Sequence, residues 1–218
     1  METSYKKAQQ YLMRMEKSDF RSEALNYKKA ICFICLENYT EAQKQFAMAF
    51  HELQYGFRLW ALSNQPDLLI DTSVLAGKAD HAGQIRADLY NYAEARKKKS
   101  YLDYYSLILL NLLAGHEDMA INTWIKELLA KPAIKEGYEM GNIFQAIVDS
   151  NQNRFDVSLR NLLNLHKKAA RYGSLRDTPE GLISLSALSL AYCAVKKNLY
   201  IDYTDSNFPI QYINFLLA

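Results

Sequence analysis

Hydrophobic side chains recur along most of this chain at intervals of three and four residues, which places them on one face of an α-helix. The pattern predicts a helix over residues 3–17, a second that begins at Phe20 or Ser22 and ends at Leu36, and a third over residues 40–62. Thr3 is the expected N-cap of the first helix, and Thr40 with Gln43 fits a capping box at the start of the third. The first part of the chain should therefore consist of helices joined by short turns.

The same spacing continues into the carboxyl-terminal third. Further helices are predicted over residues 66–76, 81–99, 101–114, 135–150, 155–172 and 182–195. Ser100 is the expected N-cap of the helix that follows it, which is apolar on nearly every side. A helix that is hydrophobic all round belongs in the interior of a bundle, so we expect this helix at the centre of the fold.

The second and third helices resemble a tetratricopeptide helical hairpin, in which small and large residues alternate so that two helices approach closely. The residues with this spacing are Leu36, Tyr39, Ala42, Phe46 and Ala49. Weaker hairpins are predicted over residues 107–124 and 143–165, at a separation that departs from the roughly 34-residue repeat. We expect one all-α domain over residues 1–218, with about ten helices in antiparallel hairpins forming an irregular, tetratricopeptide-like right-handed stack.

Composition supports long helices around a hydrophobic core. Half of the residues are hydrophobic, and the chain has only 8 Gly and 4 Pro, too few to supply the turns of many short strands. The longest apolar segment, residues 182–195, is shorter than the roughly 20 residues that cross a bilayer. The amino terminus lacks the uninterrupted apolar core of a secretory signal. These features predict a cytoplasmic protein without a membrane partner.

Charge gives little reason to expect a nucleic-acid partner. The formal net charge is +2, close to balance. The dense basic run at residues 96–99 could contact phosphates, or it could supply cations that offset the dipole at a helix carboxyl terminus. We expect the structural role, because no stacked aromatic platform or base-reading motif accompanies the run.

Candidate catalytic and metal-binding residues are scattered. Cys32 and Cys35 form a CxxC inside a predicted helix, without a second pair of ligands, so we expect buried thiols there. The four histidines have no metal-ligand spacing, and the chain contains no GxSxG, phosphate-loop or dinucleotide-binding motif. The sequence therefore predicts no metal, no cofactor and no enzymatic activity.

Polar residues gather where the long helix over residues 155–172 ends. After a turn at Gly173, Asp177 or Thr178 is the expected N-cap of the next, apolar helix, with Pro179 in its first turn and Glu180 countering the dipole. Packing leaves the polar cluster on either side of the turn without a core role. Its members are His166, Arg171, Tyr172, Arg176 and Asp177. The cluster is a candidate partner-binding surface, and a solvated helix end would have the same composition.

Several fixed points in this last third carry a resemblance to a known family. They are a leucine-rich segment ending in His166 and Tyr172, the apolar helix over residues 185–195, the run Asn-Leu-Tyr-Ile-Asp at residues 198–202, and Asn-Phe-Pro ending at Pro209. In this order they resemble the immunity protein 49 family of bacterial polymorphic toxin systems. Residues 80–150 agree with that family only in their helical-hairpin character, and the first 60 residues add little.

The resemblance implies an all-α, non-enzymatic protein that binds a cognate toxin domain in the producing cell and neutralises it. It implies no catalytic residues and does not specify the toxin's activity. A tetratricopeptide-like scaffold that binds a peptide or a partner protein remains the alternative, and it predicts exposed Asn, Lys and Arg along one face. A nucleic-acid-binding protein that uses residues 96–99 is a third possibility.

Overall fold

The computed structural model of the chain describes residues 2–16, 24–60, 65–96, 99–116, 119–205 and 207–218. Within these ranges the chain forms eleven α-helices and two short 3-10 helices, at Ala79–His81 and Pro179–Gly181. The helices are α1 (Glu2–Glu16), α2 (Ala24–Cys35), α3 (Tyr39–Trp60), α4 (Pro66–Leu75), α5 (Ala82–Ala95), α6 (Tyr101–Leu113), α7 (Met119–Leu129), α8 (Lys135–Val148), α9 (Gln152–Tyr172), α10 (Leu185–Lys196) and α11 (Ile210–Leu217). The described residues contain no strand, only an isolated bridge between Asp205 and Phe208. The predicted all-α class is confirmed.

Three pairs of consecutive helices pack as the hydrophobic pattern predicts. They are α2 with α3, α6 with α7, and α8 with α9. Helix α6 also contacts α4, α5, α8 and α10, and most of its side chains are buried, which confirms its predicted central position. A repeat-like, right-handed stacking of the pairs stays a prediction. Helix α10 packs against α4 and α6, which precede it by several helices, whereas a regular stack brings together pairs that follow each other in sequence.

The last helix packs against α3 and the end of α4. Tyr212 of α11 is fully buried, and its ring lies 5.7 Å from that of Tyr39 and 6.1 Å from that of Phe46, centroid to centroid. Its hydroxyl donates a 2.5 Å hydrogen bond to the main-chain carbonyl of Leu75, at the end of α4. One hydrophobic cluster consequently includes side chains from α1 through α11.

A buried carboxyl group joins three of the central helices. Asp71 of α4 accepts a 2.5 Å hydrogen bond from the Tyr105 hydroxyl of α6 and a 3.2 Å bond from the Ser186 hydroxyl of α10. Asp71 is 3% exposed. Burial, together with the charge of Asp67 one helical turn earlier, raises the pKa of the Asp71 carboxyl to about 7, although the hydrogen bonds that it accepts act in the opposite direction.

The helix caps separate correct local predictions from wrong ones. Ser100 caps α6 as predicted, in a capping box with Asp103. The box predicted at Thr40 is wrong, because α3 begins at Tyr39 and the Asn38 side chain accepts from the main-chain N–H of Glu41. Thr3 lies inside α1, which already includes Glu2. At each site a neighbouring residue occupies the helix start, and the sequence pattern locates such starts only to within one or two residues.

The two cysteines of the CxxC have a packing role. Cys32 is fully buried and Cys35, the last residue of α2, is partly buried. Burial raises the pKa of each thiol to about 12, so both are protonated at neutral pH. Among the helices described, none has the length and apolar character needed to cross a bilayer.

Candidate functional site

The polar cluster lies at the carboxyl end of α9, where the buried stripe of that helix stops. The Asn151 side chain caps α9 by accepting from the main-chain N–H of Arg154. The buried face of the helix consists of Phe155, Ser158, Leu159, Leu162 and Leu163. Because this stripe ends two turns before the helix does, the last two turns carry side chains that face the following loop or solvent.

The loop over residues 173–184 is held in place from two sides. Glu180 accepts a 2.6 Å hydrogen bond from the Tyr27 hydroxyl of α2 and lies 3.3 Å from the Lys28 ammonium. On the other side, the Asn207 amide donates to the main-chain carbonyls of Gly181 and Leu182. Burial, followed by the bond to Glu180, raises the pKa of Tyr27, so this phenol stays a donor at neutral pH.

This arrangement corrects the predicted caps. Pro179 and Glu180 belong to a 3-10 helix, and neither Asp177 nor Thr178 caps α10. Helix α10 begins at Leu185, and the Ser184 hydroxyl accepts from the main-chain N–H of Ala187. The loop is therefore longer than the sequence pattern suggests, and Glu180 is used in a tertiary contact with α2.

His166 lies beneath the loop and away from the exposed part of the cluster. Its Nε2 atom is buried and has no hydrogen-bond partner among the residues described. Burial lowers the pKa of His166, although the main chain of Gly181 and the carboxylate of Asp205 act in the opposite direction. The imidazole is thus neutral at neutral pH and supports the loop from below.

The other four predicted residues lie on the surface. Tyr172 is 84% exposed at the last position of α9, and Arg171 beside it is also exposed. Arg176 and Asp177 form an exposed ion pair with a 3.5 Å separation, which contributes little stability. Asp177 has a φ of 58°, a left-handed conformation in which Asp is tolerated better than most residues.

A polar cavity of about 340 Å³ lies between α1 and this end of α9, and we call it the α1–α9 cavity. Arg171 and Asp177 line it, together with Lys7 and Tyr11 from α1 and Lys167 from α9. The structure thus brings two of the five predicted residues into one site, while Tyr172 and Arg176 stay outside its lining. Sequence reasoning missed Lys7 and Lys167, because no local signal shows that α1 packs beside the end of α9.

Two further grooves border the fold. One, of about 900 Å³, lies between the start of α1, the α2–α3 turn and residues 204–211, with Ile34, Cys35 and Phe208 among its lining. The other, of about 540 Å³, runs along α8 and α9 and is lined by Asn142, Asn151, Asn153, Arg154 and Asn161, among others. Several of these groups bond to each other; Arg154 donates to the Asn142 side chain at 2.8 Å.

In the basic run at residues 96–99, Lys97 and Lys98 lie outside the residues that the structure describes. Arg96 lies 3.4 Å from the Asp103 carboxylate, donates to the Tyr92 hydroxyl at 2.5 Å and rests over that ring. These contacts give Arg96 a structural role through the side chains of Asp103 and Tyr92, whereas the offset of the helix dipole stays a prediction. They leave its guanidinium engaged within the protein.

Neither metal-ligand geometry nor similarity to known proteins assigns a function to this site. In the described part of the chain, no group of three or more His, Cys, Asp or Glu side chains could hold a metal ion. Comparisons with models of protein families, with curated proteins and with solved structures find no match for this chain.

Replacing Glu180 with alanine is expected to loosen the loop over residues 173–184. The substitution leaves the Tyr27 hydroxyl half-buried without its acceptor, a change that costs about 1–2 kcal/mol of local stability. Amide hydrogen exchange should therefore rise by about tenfold in residues 175–183 and change little in α6. Glu139→Ala, on α8, serves as the control, and equal exchange in the loop of both variants would show that Glu180 does not anchor it.

Proposed function

We propose that this chain is a non-enzymatic immunity protein of a bacterial polymorphic toxin system, which binds a cognate toxin domain in the cytoplasm of the producing cell and neutralises it. The resemblance of residues 155–209 to the immunity protein 49 family motivates the proposal. The observation that supports it best is a tyrosine, Tyr172, that is 84% exposed and flanked by Arg171 on an anchored helix end. Tyrosine and arginine are the residue types that dominate binding energy at protein interfaces.

The anchored loop suggests how such a surface would bind. Because Glu180 and Asn207 hold the loop that follows α9, the main chain near Tyr172, Arg171 and Arg176 is already ordered, which lowers the entropic cost of binding. A stable complex would bury roughly 800 Å² on each partner, which is enough to cover a toxin's active site or another functional surface. Neutralisation by occlusion requires no reaction by the immunity protein.

Co-expression with the toxin encoded immediately upstream tests the proposal. Cells that produce the toxin should survive only when this chain is present, and the purified pair should associate at micromolar concentration or below. Tyr172→Ala is expected to weaken the complex by about tenfold to a hundredfold. Tyr200→Ala is the matched control, because Tyr200 is a tyrosine on another surface that is 64% exposed. Absence of rescue together with absence of association would refute the proposal.

The groove along α8 and α9 favours a second candidate, a tetratricopeptide-like scaffold that binds an extended peptide. Asparagine side chains can bond the main chain of such a peptide, and Asn153 is exposed in this groove. The two candidate functions differ in which substitution should weaken binding of the partner. Asn153→Ala should weaken binding if the partner lies in the groove, whereas Tyr172→Ala should do so if it lies at the end of α9.

A further inference from the structure

We propose that the α1–α9 cavity receives an acidic side chain from the surface of the partner protein. This inference rests on the proposed function and adds the chemistry of the partner's contact surface. An apolar interface would not need the charged side chains that line this cavity.

Cations outnumber carboxylates in the cavity lining. Lys7, Lys167 and Arg171 line it, against one carboxylate, Asp177. The whole chain has a formal net charge of only +2, so this local excess is not a general property of the surface. An anion entering the cavity would meet an attractive potential that its partly enclosed position strengthens.

The three cations differ in their availability. Lys167 forms an ion pair with Asp205, whose side chain is only 6% exposed, so Asp205 neutralises Lys167 from the inner side. Although burial opposes it, the hydrogen bond from Lys167 lowers the pKa of Asp205, and this pair stays ionised at neutral pH. Lys7 and Arg171 are exposed and have no ion-pair partner among the residues described.

The two free cations come from different helices, Lys7 from α1 and Arg171 from α9. A carboxylate between them can bond to both, and the planar guanidinium of Arg171 suits a carboxylate in particular. The cavity, with a volume of about 340 Å³, accommodates one acidic side chain with bridging water. Tyr11 of α1 also lines the cavity.

A protein carboxylate fits this site better than a nucleic-acid backbone. A backbone presents phosphates at regular intervals and needs a continuous basic track. Here the free cations converge on a single cavity, where they can bind one anionic group but not a row of phosphates. A partner protein can direct a single acidic residue at these cations.

The test uses the full chain and the purified toxin domain encoded immediately upstream. Lys7→Glu/Arg171→Glu reverses both free cations, and Lys44→Glu/Lys126→Glu makes the same change in net charge at exposed positions on α3 and α7. The dissociation constant is measured by calorimetry at low and at high salt, after circular dichroism has shown that each variant retains its helicity. We expect the cavity variant to bind about a hundredfold more weakly at low salt and the control variant to stay within about threefold of wild type.

Reversal of acidic residues on the toxin completes the experiment. Replacing the acidic toxin residue that enters the cavity by lysine should restore binding to Lys7→Glu/Arg171→Glu while weakening binding to wild type. Equal losses in the cavity and control variants, or wild-type affinity in the cavity variant, would overturn the inference while leaving the proposed function intact. No association of the wild-type pair removes the proposed function itself and the inference with it. Wild type could instead bind a duplex oligonucleotide in a salt-sensitive manner that the cavity variant loses. That result would overturn the inference, because the ligand of the cavity would then be a phosphate and not a protein carboxylate.

Discussion

Asparagine in place of Asp71 is expected to abolish a loss of stability that the wild-type protein shows as the pH rises from about 4 to about 8. Burial raises the pKa of this carboxyl to about 7 in the folded state, whereas an aspartate in an unfolded chain titrates near 4. The folded protein thus binds the proton of Asp71 more tightly than the unfolded chain does. The stability that this proton contributes is complete below pH 4 and is lost as the pH rises through 7.

The size of the effect follows from the difference between the two pKa values. A difference of about three units corresponds to about 4 kcal/mol in the free energy of unfolding between pH 4 and pH 8. Asparagine does not ionise, and its amide can keep both contacts, accepting from the Tyr105 hydroxyl and donating to the Ser186 oxygen. Above pH 7 the Asp71→Asn variant should therefore be the more stable protein.

Urea denaturation at pH 4, 5, 6, 7 and 8 measures this profile for both proteins. The difference between wild type and Asp71→Asn isolates Asp71, because other titrating groups contribute to both curves. Asp202→Asn, which alters an exposed carboxylate, should follow the wild-type curve. Parallel profiles for wild type and Asp71→Asn would show that the buried carboxyl does not titrate in this range.

Truncation of Tyr212 to alanine is expected to cost about 3–5 kcal/mol of global stability. The ring is fully buried and packs against Tyr39, Phe46 and Phe215, so its removal leaves a cavity between α3 and α11. The Leu75 carbonyl at the end of α4 also loses its donor. Both effects act on the contact that attaches the end of the chain to its first half.

Tyr212→Phe separates the two contributions. It keeps the ring and removes only the hydroxyl, so the expected cost is about 1–2 kcal/mol. Tyr200→Ala, at an exposed tyrosine, should change stability by less than about 0.5 kcal/mol. Thermal and urea unfolding of the three variants provide the measurement. A cost below about 1 kcal/mol for Tyr212→Ala would mean that α11 adds little to the folded state.

The residues of the candidate site show how far local reasoning extends. The exposure of Arg171 and Tyr172 follows from their position beyond the apolar stripe of α9, which the sequence displays. Polarity and nearness in sequence predict that His166 joins them, yet the loop over residues 173–184 folds back over its imidazole. Sequence proximity placed it in the cluster, and long-range packing buried its Nε2 atom.

The approximate positions of most helices, their apolar faces and the all-α class were determined by the sequence alone, because the interactions behind them connect residues three or four apart. The central position of α6 followed in the same way from its apolar surface. Ser100 is a further case, since a capping box involves only the first turn of its own helix.

Only the tertiary structure decided which polar groups meet. Glu180 bonds to Tyr27 across 153 positions, Asp71 bonds to Ser186 across 115, and Lys167 meets Asp205 across 38. Helix α11, for which the sequence analysis made no prediction, owes its place to Tyr212 and its buried contacts with α3 and α4. Such pairings depend on how whole helices pack, and hydrophobic periodicity specifies which face of a helix is buried without specifying the neighbour that covers it.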